Sequence, residues 1–279
     1  MKVLIIGASG MLAKPVINQF DKQGFHIRLF SRTVNSSMFS KVFDTINGDI
    51  FNPSDLDKAM DGCDAIHISI SKVDEAKATQ AIVDVAKQKK IKLISIISGC
   101  TVSNNNRWFD MIDKKYQAEQ SIINSGIPYI IFRPTWFFES LDLMLRNGKA
   151  VLIGKQPNSY HWVAADDYAQ QLVCAYQKDT AWNNVFYVFG PEPHLMKDLL
   201  EIYCKSCYPE IKKVQSIPLL LMKIIALLSG KKELKSAVSM FAYFEKVKEM
   251  GNADETNILL GKPQTTFKKW LETKLSQLG

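Results

Sequence analysis

A short β-branched run, KVLII, opens the chain and runs straight into Gly7-Ala8-Ser9-Gly10-Met11-Leu12-Ala13, after which apolar residues recur at helical spacing. A strand that turns through glycine into a helix gathers backbone N–H groups and the positive end of the helix dipole at one point, where phosphate binds well. The glycines serve the tight turn and let the backbone approach a pyrophosphate. Alone, a G-x-x-G-x-x-A run is weak; the preceding strand and following helix are the context that gives it meaning.

The same alternation continues downstream. KVLIIG, HIRLFS, KVFDTI, AIHISI, KLISIIS and YIIFRP read as strands, and MLAKPVINQFDKQG, PSDLDKAM, DEAKATQAIVDVAKQKK and KKYQAEQSIINSG as helices. Strands separated by helices need crossovers, and crossovers make parallel sheets covered on both faces, so a doubly wound α/β fold is predicted. Asn52 is placed to cap a helix that begins with Pro53. Pro15 is tolerated if its helix starts near Gly10, because first-turn amides have no internal partner. After Pro134 the rhythm changes to an aromatic, hairpin-like stretch, a helix (DDYAQQLVCAYQK), a strand (NNVFYVFG) and a mainly helical remainder. The predicted division is a dinucleotide-binding domain over 1–134, completed by roughly 160–190, and a smaller substrate-binding or interaction region over 135–159 and 191–279.

The 279 residues, 47% hydrophobic and 23% charged, suit one large domain with an elaborated end. Of the net charge of +7, residues 195–279 carry +5, from 14 lysines and 9 acidic residues. Because these lysines alternate with glutamates, solvated helix faces are expected, with neither nucleic acid nor an anionic membrane as partner. IPLLLMKIIALLSG (217–230) is interrupted by Lys223 and is shorter than a bilayer span of roughly 20 residues; its leucines are expected to be buried. Five scattered cysteines and no signal-peptide pattern suggest reduced thiols in a cytoplasm. Cys204-x-x-Cys207 lies in an amphipathic stretch and reads as helix packing, with no metal site expected.

Which nucleotide is bound turns on the end of the second strand. A 2′-hydroxyl is usually held there by an acid, whereas HIRLFSRT ends in Ser31-Arg32-Thr33. The planar fork of Arg32 suits a 2′-phosphate and favours NADP(H) over NAD(H), the alternative being an ordinary surface arginine. Asp49 and Ile50 fall near the end of the third strand, where they could flank an adenine; capping is the other reading for Asp49.

GASGMLA, the SR after strand two, GDIFNPSDLDKAMDGCDAI, KYQAEQSIINSGIPYIIFRP, HWVAADDYAQQL and TTFKKWL together resemble the atypical, NmrA-like branch of the short-chain dehydrogenase/reductase superfamily, close to the NAD-dependent epimerase/dehydratases. The resemblance implies a Rossmann domain binding the dinucleotide through Gly7, Ser9, Gly10, Met11, Leu12, Arg32, Asp49, Ile50, Ser69, Lys115 and Pro134, and a small-molecule substrate held by the C-terminal region. In catalytic relatives a tyrosine exchanges the proton, a lysine four residues later lowers its pKa and holds the nicotinamide ribose, and a serine orients the substrate. Here the lysine is Lys115 and the serine Ser98, but the tyrosine position is Met111. A thioether has no proton to exchange. Tyr116, next to Lys115, should point about 100° away from it on a helix.

Trp136 and Phe137, with Phe138, would line a substrate chamber in the family arrangement or else belong to a core. Glu139, His161 and Asp167 are polar candidates, Asp167 as a helix cap and His161 as a replacement acid. Three readings follow: an NADPH-dependent oxidoreductase drawing its proton from Lys115, Ser98, another group or water; a non-catalytic dinucleotide sensor serving a protein partner; or an assembly or accessory factor whose Rossmann fold is mainly a scaffold, docked on a membrane complex through the IPLLLMKIIALL helix.

Overall fold

The computed structural model describes residues 1–71 and 73–278. The strands are β1 (Lys2–Ile6), β2 (His26–Ser31), β3 (Asp44–Asn47), β4 (Ala65–Ile68), β5 (Leu93–Ile97) and β6 (Tyr129–Pro134), joined at one edge by Asn184–Val188. They form one seven-stranded sheet in the order Asn184–Val188, β6, β5, β4, β1, β2, β3. Every neighbouring pair is parallel. The chain builds outward from β1 to β3, then returns past β1 to lay down β4, so β1 and β4 part in opposite directions. Such a reversal opens a crevice at the C-terminal strand ends.

Helices cover both faces of the sheet. On one side α2 (Pro53–Met60), α3 (Glu75–Gln88) and α4 (Asp110–Ile123) send Leu56, Ile82, Ala86, Ala118 and Ile122 against Leu4, Ile6, Ile66, Ile94 and Ile131. On the other, α1 (Ala13–Lys22) packs on α5 (Ala165–Tyr176), with Phe20 edge-on to Tyr176 at 4.9 Å. Burial on both faces explains why β1 and β4 are continuously apolar apart from Lys2 at the start of β1 and His67, with no polar alternation. The Asn52 carboxamide oxygen caps α2 by accepting from the Ser54 amide at 3.1 Å. Helix α1 begins at Ala13, three residues beyond the expected start, which leaves Pro15 within its first turn.

Contacts cluster into two units. The first comprises Met1–Pro134, Ala165–Val188 and Asn252–Lys262, the last segment carrying α9 (Asp254–Leu260). The second comprises Thr135–Ala164, Phe189–Gly251 and Pro263–Gly279, with α6 (Met196–Cys207), α7 (Leu219–Ser229), α8 (Lys232–Phe244) and α10 (Phe267–Leu278). In it a hairpin, Leu145–Arg146 with Lys149–Ile153, pairs in parallel with Val214–Ile217. Its core gathers Phe138, Trp162, Tyr203, Phe241, Phe267 and Trp270. Cys204 and Cys207 are free thiols on α6, and burial raises the pKa of both, which disfavours the reactive thiolate.

The leucines of 217–228 depart from expectation. Only Met222 and Ala226 of α7 are buried, while Leu220, Leu227 and Leu228 are 73%, 70% and 81% exposed. The physical reason is the composition of the helix. With Lys223 and Ser229 its only polar residues, α7 is apolar around most of its circumference, and packing on α8 and the unit's core covers one stripe. No helix among the described residues is long and apolar enough to cross a membrane.

One buried polar chain stands out in the first unit. His67 Nδ1 lies 2.8 Å from Ser95 Oγ, which lies 2.6 Å from the Tyr176 hydroxyl, and that hydroxyl donates to the Ile66 carbonyl at 3.0 Å. Burial pushes the His67 pKa from 6.5 down to about 3. The unfolded chain therefore takes up a proton between those values that the native state does not. Stability from His67 is full above pH 6.5 and is lost on acidification, by about 1.4 kcal/mol per pH unit through the window. Denaturant melts from pH 7 to pH 4 should show this slope, and His67→Gln should flatten it; an unchanged slope in the variant would remove His67 as its source.

Candidate functional site

The crevice begins at the β1–α1 turn. Gly7 has φ +90°, and a Cβ there would lie 1.9 Å from the Ser69 carbonyl oxygen, so only glycine fits. The Gly7 amide donates to the Phe30 carbonyl at 2.9 Å and the Gly10 amide to the Gly7 carbonyl at 2.9 Å, closing a tight turn. Ser9, Gly10 and Met11 are exposed, and Leu12 is buried beneath them. Helix α1 has no capping side chain and no acid in its first turn. Among the described residues, the amides of Ser9, Met11 and Leu12 donate to no protein acceptor. Unpaired amides converging at a helix N-terminus are what a pyrophosphate accepts from, so these residues fit the group.

Beside this turn, the Thr33 hydroxyl lies 3.4 Å from that of Ser9. Arg32, between Ser31 and Thr33, is exposed and makes no ion pair among the described residues. Asp49, two residues past β3, accepts from the Phe51 amide at 3.0 Å, while its own amide donates to Asp55 at 3.0 Å. That is turn capping, and Ile50 beside it is half-buried. Ser69 follows β4 and is tied to β1 by its amide, which donates to the Ile6 carbonyl at 3.0 Å.

The second half of the crevice is built on α4. Met111, Lys115 and Glu119 stand four residues apart and share one face of the helix. Tyr116 lies on another face, with the Arg107 guanidinium 4.5 Å over its ring. The Lys115 ammonium donates to Glu75, at the start of α3, at 2.8 Å, and its stem passes 4.0 Å from the Cβ position of Gly99. Next to Gly99, the Ser98 hydroxyl donates to the fully buried Glu119 at 2.5 Å. Arg133 on β6 clamps the same carboxylate, Nε to Oε1 at 3.0 Å and Nη2 to Oε2 at 2.5 Å, and also donates to the Tyr187 hydroxyl at 3.0 Å. Burial works against the Arg133 charge, but the Glu119 bonds outweigh it and raise the pKa. Pro134, ending β6, is buried, its carbonyl accepting from the Cys100 amide at 2.9 Å.

Ser98 and Lys115 are thus brought together. Both polar ends are engaged with carboxylates, and Met111 offers no proton beside them. Of the partners, Glu119 had a sequence signal, its four-residue spacing from Lys115. Glu75, Arg133 and Tyr187 had none, being distant in the chain.

The aromatic candidates lie in the second unit. Trp136 is half-buried, stacked on Trp162 at 5.6 Å and edge-on to Phe244 at 4.8 Å. Phe137 is buried and pairs by backbone with Val163. His161 stacks on Phe189 at 5.8 Å, and its Nδ1 lies 2.5 Å from Glu249 Oε2. Glu249 also accepts from the His161 amide at 2.9 Å and the Thr135 hydroxyl at 2.6 Å. Glu139 accepts from the Trp270 indole at 2.9 Å. Asp167, in the first turn of α5, is buried.

Glu119→Ala would leave the mostly buried Arg133 without its counter-charge, and a loss of about 3–5 kcal/mol is expected in chemical denaturation. Glu119→Leu combined with Arg133→Met should recover most of it. A loss below about 1 kcal/mol for the single variant would show the pair to be dispensable.

Known proteins share this fold. Among curated proteins, photosystem II assembly factor Ycf39 of Trieres chinensis is 23% identical over 247 residues, covering 82% of this chain and 76% of that protein. A nucleoside-diphosphate-sugar epimerase from Staphylococcus aureus superposes with a TM-score of 0.78 at 19% identity, covering 98% of this chain and 100% of the other. An NADPH-dependent quinone oxidoreductase from Escherichia coli, solved with NADPH, superposes with a TM-score of 0.77 at 19% identity, covering 98% and 99%. At these identities the structures testify to the shared fold. The sequence family described as NAD(P)H-binding matches residues 7–175, from the first glycine of the turn through most of α5. That match takes in more than half of the sequence, and the chain belongs to the NAD(P)H-binding family.

Proposed function

We propose that this protein is an NADP(H)-dependent oxidoreductase whose substrates are small organic hydride acceptors of the quinone type. The observation that carries the cofactor preference is Arg32, exposed and without an acidic partner beside the Ser9–Thr33 hydroxyl pair. A guanidinium in that position would bind a 2′-phosphate bidentately, and an acid that would hold a 2′-hydroxyl is missing from the end of β2. The amides of Ser9, Met11 and Leu12 would take the pyrophosphate, with Gly7 and Gly10 allowing its approach and Ser69 and Pro134 bounding the crevice. Asp49 and Ile50 would flank the adenine. Bound NADPH would supply the hydride.

Met111 shapes the substrate class. A tyrosine acting as general acid is worth about 10²–10⁴-fold in rate, and the thioether forfeits it. Reduction of an isolated ketone leaves a strongly basic alkoxide that needs such an acid. A quinone leaves a hydroquinone anion whose charge spreads into an aromatic ring, and this needs one far less. Lys115, held by Glu75, would position the nicotinamide ribose, and Ser98, its proton turned to Glu119, would present lone pairs to a donor. The structural neighbour named as a quinone oxidoreductase supports this class. Trp136 and Phe137 are packed as core residues.

A second reading, a dinucleotide-binding sensor or accessory protein without turnover, draws on the same Met111 and on the curated relatives named as assembly factors. Two experiments separate the readings. In titrations of the purified protein, Arg32→Ala should weaken NADPH by about 1.5–3 kcal/mol and leave NADH nearly unchanged. Equal losses for the two would end the argument from Arg32. NADPH oxidation should then be followed with matched panels of quinones and simple ketones. Quinones are expected to turn over faster and Lys115→Ala to slow them; tight NADPH binding with no turnover of either panel would favour the accessory reading.

A further inference from the structure

The apolar residues exposed on α7 form a continuous surface. At 3.6 residues per turn, Leu227, Leu220, Ile224, Leu228, Leu221 and Ile225 follow one another around roughly 160° of the helix, opposite the buried Met222 and Ala226. Elsewhere in the described chain, exposed large apolar residues are scattered. A patch of this kind on a folded surface marks an interaction site.

Its margins are cationic. Lys223 stands at one side of the arc, and Lys231, Lys232 and Lys235 follow directly after its C-terminal end, all exposed. Over residues 212–240 there are six lysines and a single acidic residue, Glu233, a net +5. The alternation of lysine with glutamate that marks an ordinary solvated face is absent from this stretch.

We propose that α7 docks this protein on an anionic lipid bilayer, lying in the plane of the interface. The leucines and isoleucines would enter the acyl boundary, and the marginal ammonium groups would reach lipid phosphates, the arrangement of an interfacial amphipathic helix. The eleven residues of α7 are too few to cross a bilayer, so the contact is peripheral. Two other occupants fit less well. A second copy packed isologously through the same patch would bring Lys223, Lys231, Lys232 and Lys235 of both copies together around a shared two-fold axis. A protein partner would have to supply both a deep apolar groove and an acidic rim, and a lipid surface provides both without shape matching.

The test is co-sedimentation of the full-length protein with phosphatidylglycerol–phosphatidylcholine vesicles and with pure phosphatidylcholine vesicles. Binding is expected to favour the anionic vesicles by roughly tenfold or more and to weaken as salt is raised. The triple variant Leu220→Ser, Leu227→Ser, Leu228→Ser should lose the binding at unchanged melting temperature, since these side chains are exposed. Lys231→Gln with Lys232→Gln and Lys235→Gln should lose the preference for anionic lipid. The proposal is overturned if the wild type ignores anionic vesicles or if the leucine variant binds as well as the wild type. It is equally overturned if sedimentation velocity shows a lipid-independent dimer, or a stable complex with another protein, that the same leucine changes abolish while vesicle binding persists.

Discussion

Gly7 lies against the Ser69 carbonyl so closely that no side chain could stand between them, and the upper edge of the sheet depends on this approach. It brings the end of β1 against the chain leaving β4 at the point where the strand order reverses. The turn then has nowhere to go but directly into α1, so Ser9, Met11 and Leu12 reach the helix start with amides that have no acceptor among the described residues. A larger residue would push the two strand ends apart and cost the sheet its central pairing. The same close approach thus packs the strand ends and fixes where α1 begins.

A second constraint organises the other half of the crevice. Glu119 is fully buried and carries two partners, Ser98 by one bond and Arg133 by two, and Arg133 in turn donates to the Tyr187 hydroxyl. A buried carboxylate is tolerated only when paired and hydrogen-bonded, so the network ties α4, the end of β5, β6 and the edge strand Asn184–Val188 into fixed register. It also spends the Ser98 proton inside the protein. With Met111 one helical turn before Lys115, this face of α4 carries a thioether, an ammonium and a carboxylate in succession.

Helix α7 follows a different logic. Elsewhere among the described residues large apolar side chains are exposed singly, as Val42, Leu143 and Ile258 are, whereas this helix has more apolar circumference than its neighbours cover. Gly230, in the left-handed conformation at its end, stops the helix and turns the chain into the lysines that begin α8. The sequence therefore places cations at the edge of the apolar arc.

Fold class was legible in the sequence because it rests on local periodicity. Continuous β-branched runs, helical spacing between them and glycine or proline at the breaks are enough to call for a parallel, doubly wound sheet, and the strand after Ala181 could be read in the same way. The glycine turn, Arg32 and the substitution at Met111 were equally visible, since each depends on residue type and spacing within one or two elements. Burial of the 217–228 leucines was misjudged because hydrophobicity says that a segment prefers cover, without saying whether the fold has any to offer. The pairing of Lys115 with Glu75, of Glu119 with Arg133, and of His161 with Glu249 was decided by tertiary structure alone. Thr135 and Glu249, 114 positions apart, meet only because the chain returns on itself. The sequence by itself determined the sheet, its crossovers and the glycine turn; the tertiary structure decided which charges meet, because neither charge nor spacing along a chain records where two distant segments cross.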